Sequence, residues 1–312
     1  MQTDRRRFVI GDMELAEIST YCDIARANKS LITLSELAQL TSVDATEEEF
    51  EMAWHVNSQL KSRFRLESGF VMDEQDPGTS SVRLDEEHDN RATARKNVAT
   101  ASEFADLCNG PRVKLLAVAG GNSYRSARRG DDIDIFCVTT RNSLWVFMLK
   151  ALILARFYGV VKRSPPFCFS YVIDEDRARS EFGSAKDGLF ARDALSAQVL
   201  AGKRFYHSLL LEASWMARFF PRMYGRRVED RGEDELRTKE KVGSAWLNSL
   251  LYYSVGSYVK MKAALLNRKY RRWGDSAAVF HSSIGRDHCV YESNRYRKLR
   301  KMYAKPGEAV KA

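Results

Sequence analysis

Residues 115–138 read LLAVAGGNSYRSARRGDDIDIFCV. An apolar stretch, Leu115 to Ala119, ends at Gly120-Gly121, and a polar, arginine-rich segment follows. Then comes Asp132-Ile133-Asp134-Ile135-Phe136, in which carboxylates alternate with apolar residues. Alternation is the period of a strand, so Asp132 and Asp134 point to the same face. Two carboxylates side by side repel each other unless a cation sits between them, and oxygen ligands of this kind suit Mg²⁺ or Mn²⁺. The diglycine lets the backbone approach a ligand closely. A helix starting just after it would aim N–H groups and a positive dipole at phosphate. On such a helix Arg125, Arg128 and Arg129 stand at i, i+3 and i+4 and share one face. A phosphate cradle beside a metal-binding carboxylate pair implies chemistry on a nucleoside triphosphate.

The same run resembles the DNA polymerase beta-like nucleotidyltransferase superfamily. The signature there is an apolar residue and a Gly-Gly or Gly-Ser pair, a spacer, and two acids alternating with apolar residues. Here ten residues, Asn122 to Asp131, separate Gly120-Gly121 from Asp132-Ile-Asp134-Ile. Asn122 or Ser123 takes the place of the usual serine. Phe136-Cys-Val-Thr139-Thr140 and the apolar helix opening at Arg141-Asn-Ser-Leu144-Trp145 extend the likeness to prokaryotic nucleotidyltransferase-domain proteins. It covers roughly residues 10–200.

The resemblance implies attack of a hydroxyl on the α-phosphate of an NTP, with release of pyrophosphate. Asp132 and Asp134 would hold Mg²⁺ or Mn²⁺. Gly120, Gly121, Asn122 and Ser123 would cradle the triphosphate, helped by Arg125, Arg128 or Arg129. The acceptor is not written in the sequence; an RNA end, a protein hydroxyl and a small molecule all fit. Two-metal transfer calls for a third carboxylate on a neighbouring strand. The strand expected over 167–173 contains no acid, Ser170 occupies a central place in it, and Asp174 is the nearest candidate. Either Asp174 completes the catalytic set or the third ligand is absent. In the second case the chain is a degenerate nucleotide- or nucleic-acid-binding regulator.

The 312 residues carry a net charge of +9, which suits an anionic partner. Charge is unevenly spread: residues 42–92 hold thirteen acids against five Lys or Arg, and residues 268–305 hold eleven Lys or Arg against three acids. The five cysteines are scattered without zinc-like spacing and read as reduced core residues of a cytoplasmic protein. No signal peptide is evident. The most apolar segment, Leu144 to Val161, contains Lys150 and Arg156 and reads as a buried amphipathic helix, with no membrane partner expected. His281, Asp287, His288 and Cys289 have no defensible metal spacing and read as satisfied histidines. GxSxG, Walker and GxGxxG motifs are absent.

The expected fold class is α/β (α+β), a nucleotidyltransferase core of a small mixed sheet with helices. A winged-helix-like module over 1–75 precedes the core at 76–185, and a helical, basic region over 186–312 follows. In the first part, capping boxes at Thr33-Leu-Ser-Glu36 and Thr46-Glu-Glu-Glu49 open helices, and 64–72 reads as a hairpin. The third helix begins Glu47-Glu48-Glu49, which opposes phosphate and argues for a docking module over a DNA reader. A helix is expected over 86–108. The core is expected as strand 113–119, helix 123–128, strand 132–139, helix 143–158 and strand 167–173. Residues 187–220 read as helical, 225–241 as a charged linker, and 245–266 as an aromatic helix. The basic tail, with Tyr270, Trp273, Tyr296 and Tyr303 among Arg and Lys, is the candidate nucleic-acid contact.

Overall fold

A computed structural model describes residues 9–41, 46–74, 80–230 and 241–303. The chain is mixed α/β and divides into two compact units, residues 1–89 with 215–226, and residues 90–214 with 227–312.

The first unit runs α1 (Asp12–Ala27), β1 (Ile32–Thr33), α2 (Leu34–Leu40), α3 (Glu47–Val56), α4 (Ser58–Arg63), β2 (Phe64–Glu67) and β3 (Phe70–Asp73). Its antiparallel sheet has the order β1-β3-β2. Both expected capping boxes form, with Thr33 accepting from the Glu36 N–H and Thr46 from the Glu49 N–H. The helix opened by the Thr46 capping box divides at Asn57. The Asn57 side chain accepts from the Leu60 N–H and restarts the helix as α4. Ile18, Leu37, Phe50, Trp54, Leu60 and Phe64 are fully buried. Residues 215–226 complete this unit. The Tyr21 and Phe220 rings lie 6.2 Å apart, Arg222 donates to the Ala38 carbonyl, and Arg226 pairs with Glu47 at 3.0 Å.

The chain continues through α5 (Ser80–Cys108), β4 (Val113–Val118), α6 (Gly120–Ser123), β5 (Ile133–Thr139), α7 (Leu144–Phe157) and β6 (Phe167–Asp174). Then follow α8 (Glu175–Gly183), α9 (Gly188–Ser196), β7 (Gln198–Ala201), α10 (Lys203–Glu212) and α11 (Pro221–Glu229). The last elements are α12 (Ala245–Leu251), α13 (Ser257–Arg272), β8 (Phe280–Ile284), β9 (His288–Ser293) and α14 (Asn294–Met302). Most of the charged stretch 225–241 lies outside the described residues, and its described start is the end of α11. The turn-rich stretch after Asp73 also lies largely outside them.

The second unit is built on a six-stranded mixed sheet, β7-β4-β5-β6-β9-β8, in which only β5 and β6 run parallel. Alternation along β5 divides its side chains. Ile133, Ile135 and Cys137 enter a core shared with Phe104 of α5, Trp145 and Met148 of α7, and Val259 of α13. Phe136 faces the other way and stacks on Phe182 of α8. Residues 186–312 are therefore not a separate helical region. They supply β7 at one edge and the β8–β9 hairpin at the other, and Cys289 of β9 is fully buried. Gly202, in the left-handed region at φ +81°, lets the turn after β7 press on β4; a Cβ there would lie 1.9 Å from the Lys114 carbonyl oxygen.

Candidate nucleotide site

β4 and β5 are antiparallel, with Val118 opposite Ile135, and the Ala119 N–H donates to the Asp134 carbonyl. This pairing brings the diglycine turn against the start of β5. Gly120 has φ +61°, and a Cβ there would lie 2.5 Å from Asp134 Oδ2. The carboxylate therefore fills the space that any other residue at 120 would need.

Asp132 and Asp134 end up at the same end of β5 and sense each other electrostatically. Burial, then the Asp132 charge, pushes the Asp134 carboxyl up to about 6. Asp132 is also raised by desolvation and by Asp131, against a lowering by Lys262 of α13. A pair of carboxylates whose ionisation is resisted by their own surroundings is a pair that a divalent cation would relieve.

The helix expected over 123–128 does not form. α6 ends at Ser123, and Arg125 takes φ +60°, a left-handed conformation that stops the helix. Arg125, Arg128 and Arg129 therefore share no helical face. The loop is closed instead by Asp131, whose carboxylate accepts from the Arg128 N–H at 2.7 Å. Arg125 and Arg129 are exposed.

The side chains of Asn122 and Ser123 are also committed elsewhere. Asn122 is buried, accepts from Asn97 of α5 at 2.8 Å and donates to the Asp132 carbonyl at 2.8 Å. It bolts α5, the turn and the start of β5 together. Ser123 donates to the Gly120 carbonyl. Gln198 of β7 reaches the Ser123 carbonyl at 3.3 Å. What the turn offers a phosphate is therefore backbone, at the first residues of a helix where N–H groups lack intrahelical partners.

Asp174 is not part of this site. In the parallel register Asp134 stands beside Cys168, while Asp174 stands beside Thr139 at the far end of the strand. Five residues at about 3.3 Å each put it roughly 16 Å along the strand. There it caps α8, accepting from the Arg177 N–H at 3.0 Å. The side chains of β6 that meet Asp134 are Cys168 and Ser170, both of which hydrogen-bond its carboxylate. The Cys168 thiol is held well above its ordinary range by burial and by the Asp134 charge, so it stays a donor. Among the described residues no group of three or more His, Cys, Asp or Glu is arranged to hold a metal. A Mg²⁺ held here would rest on two carboxylates and take its remaining ligands from phosphate and water, which suits that ion.

Two cations reach this region from elements distant in sequence. Lys262 of α13 acts on Asp132. Arg192 of α9 lies 4.4 Å over the ring of Tyr124, the residue after the α6 turn. No local motif marks either residue.

The histidine cluster at the C-terminus is a fixed bracket. His288 lies 2.8 Å from Ser283 Oγ through Nε2 and 2.8 Å from Asp287 through Nδ1. This has the outline of a Ser–His–Asp array, but the Arg177 guanidinium stands 3.2 Å from the same Nδ1. Comparison with protein-family models, curated proteins and solved structures gives no match to the chain.

Proposed function

We propose that the protein binds a nucleoside triphosphate with Mg²⁺ and transfers its nucleotidyl group to a hydroxyl acceptor, as the nucleotidyltransferase-like run suggests. The observation that carries this reading is the contact of Gly120 with Asp134. One carboxylate of the pair, Asp134, lies directly against a glycine turn that opens a helix. Asp132 and Asp134 would hold the ion, and the backbone of Gly120 to Ser123 would face the phosphates. When bound, the ion neutralises charge on the triphosphate and on the leaving pyrophosphate. Lys262, close enough to lower the Asp132 carboxyl, adds positive charge near the pair.

A second reading has its own support. Cys168 and Ser170, not a carboxylate, meet Asp134 from β6. A third carboxylate serves to activate the acceptor hydroxyl; gripping the nucleotide does not need it. On this reading the protein binds NTP without transferring it and acts as a regulator.

Calorimetric titration with ATP, GTP, CTP and UTP, with and without Mg²⁺, tests what the two readings share. Incubation with labelled NTP, Mg²⁺, total RNA and total protein separates them. Label appearing on an acceptor, and lost in Asp132→Asn/Asp134→Asn, supports transfer. Binding without label supports the regulator. Folded protein that binds none of the four nucleotides overturns both.

For the first unit we infer a winged-helix-like docking module. Its support is the order helix, short strand, three helices and hairpin, with β1 pairing on β3. The acidic start of α3 is already engaged within that unit through Glu47 and Arg226, an arrangement suited to docking rather than to phosphate.

A further inference from the structure

We propose that the second unit docks on a bilayer surface rich in anionic headgroups, through the outer faces of α7 and of the α12–α13 pair. α7, with the single π-turn that extends it to Lys162, is long and apolar enough to cross a membrane. Its inner face is committed to the sheet, with Trp145, Met148 and Ala151 buried, so it cannot leave without emptying the core. Its outer face mixes exposed Lys150 and Arg156 with large apolar side chains. Ile153, Phe157 and Val160 are 61%, 51% and 63% exposed. The helix is amphipathic as its sequence predicts, with Lys150 and Arg156 in solvent, yet it also leaves large apolar side chains on the same outer side.

α12 packs beside α7. Asn248 accepts from the Trp145 N–H, and the Tyr252 ring lies 5.5 Å from Trp145. The outward residues here are also large and apolar: Trp246 at 72% exposure and Leu250, then Met261 and Leu265 on α13. Three helices of one unit, α7, α12 and α13, therefore leave large apolar side chains in water, an arrangement that marks an interaction face.

Charge identifies the partner. From Ile135 to Ile173 there is no acid and there are five Lys or Arg; from Lys241 to Gly274 there is no acid and there are seven. Of these Lys162 pairs with Glu103 of α5, while Arg271 and Arg272 are exposed at the end of α13. Lys269 lies 4.2 Å over the ring of Trp273, and Lys260 lies 4.7 Å over Tyr252. Apolar side chains flanked by aromatics and cations are what the boundary of an anionic bilayer accommodates. Ile153, Val160 and Leu265 neither stack on bases nor bond to phosphate, so a nucleic acid would leave them unsatisfied. A second copy meeting this face symmetrically would set the exposed Arg271 and Arg272 against a surface in which cations outnumber acids.

The test is flotation of the full-length protein with phosphatidylcholine vesicles, with and without phosphatidylglycerol. The expected result is binding to the anionic vesicles, weakened by salt, with a blue shift of tryptophan fluorescence. Ile153→Ser with Leu265→Ser should lower vesicle affinity by about tenfold or more with the melting temperature unchanged, since both side chains lie in solvent. Arg271→Glu with Arg272→Glu should abolish the preference for phosphatidylglycerol. Absence of flotation with either vesicle overturns the proposal. So does binding that neither double variant changes. It is equally overturned if the serine variant abolishes a dimer seen by sedimentation equilibrium, or RNA binding, while vesicle binding is untouched.

Discussion

Gly120 is the residue on which the candidate site turns. Two separate constraints act on it, a left-handed backbone at φ +61° and the Asp134 oxygen where its Cβ would be. Gly130 carries only the first, with φ +92° and open space around it. Gly130→Ala should therefore cost about 1 kcal/mol of backbone strain and leave nucleotide binding intact. Gly120→Ala should cost more than that and also displace Asp134, so Mg²⁺-dependent NTP binding should be lost. Melting curves and titration calorimetry on the two variants separate these effects. Equal binding by both would show that the turn is not part of the site.

Asp134 itself makes stability depend on pH. Its folded carboxyl is raised to about 6, so between the unfolded value of 3.8 and that point the folded state holds the proton more tightly. The resulting stabilisation is complete below pH 4 and is lost as pH rises through 6. In EDTA, Asp134→Asn should therefore gain on wild type by up to about 3 kcal/mol at pH 8, and the difference should vanish at pH 4. Mg²⁺ with NTP should reverse the ranking at pH 8, because the wild-type carboxylate then has its counter-ion. Chemical denaturation at the two pH values, with and without Mg²⁺·NTP, measures both signs.

Among the elements, those that carry their own periodicity were legible from sequence. β4, β5, α7 and β6 lie close to their expected bounds because an apolar stretch in strand or helix period reports its own burial. The arginine helix was not legible, since spacing of i, i+3, i+4 says nothing about whether Arg125 will adopt a positive φ. Nor were β7, β8 and β9. FHSSI and HCVYES are short and half polar, and they become strands only because β6 offers an edge on which Tyr171 meets Val290 and Val172 meets Cys289. That partner is more than a hundred residues away. Likewise no local signal could say that residues 215–226 belong with the first unit, or that Lys262 and Arg192 come near the site. The carboxylate pair and the turn were readable because they are local; the β6 wall was half readable, through Ser170, and Asp174 was misleading because it is local to the wrong end of the strand.

The hairpin is fastened by one buried side chain in particular. Asn248 of α12 accepts from the Trp145 N–H at 2.9 Å and donates to the Arg286 carbonyl at 3.0 Å. The Trp145 indole donates to the neighbouring Gly285 carbonyl. Asn248→Ala strands a buried N–H and a carbonyl together and should cost about 2–4 kcal/mol. Trp145→Phe, which removes one donor and keeps a large ring, should cost less. If urea denaturation finds Asn248→Ala neutral, the β8–β9 hairpin is an appendage and not a working edge of the sheet.

At the scale of the whole molecule, charge is distributed so that the two units should treat a polyanion differently. The first unit holds nineteen acids against twelve Lys or Arg, whereas the second holds twenty-two against thirty-eight and carries acid-free basic stretches on α7 and α13. A phosphate backbone approaching α3 would meet Glu47, Glu48 and Glu49, of which Glu47 is already paired with Arg226 and Glu49 closes the capping box on Thr46. Any nucleic-acid affinity of the full-length protein should therefore come from the second unit and be indifferent to these acids. Glu47→Gln, Glu48→Gln and Glu49→Gln together keep the side-chain shapes and remove three charges. Duplex DNA affinity should change by no more than about twofold, and the salt slope should stay fixed, because the slope counts phosphates neutralised and none would be added. Loss of the Glu47–Arg226 pair, half exposed on both sides, should cost less than about 1 kcal/mol. Fluorescence anisotropy against a labelled duplex over a range of salt is the measurement. A rise of tenfold or more with a steeper slope would mean that the start of α3 faces phosphate after all, and that its carboxylates restrain DNA binding by the first unit rather than serve a docking role.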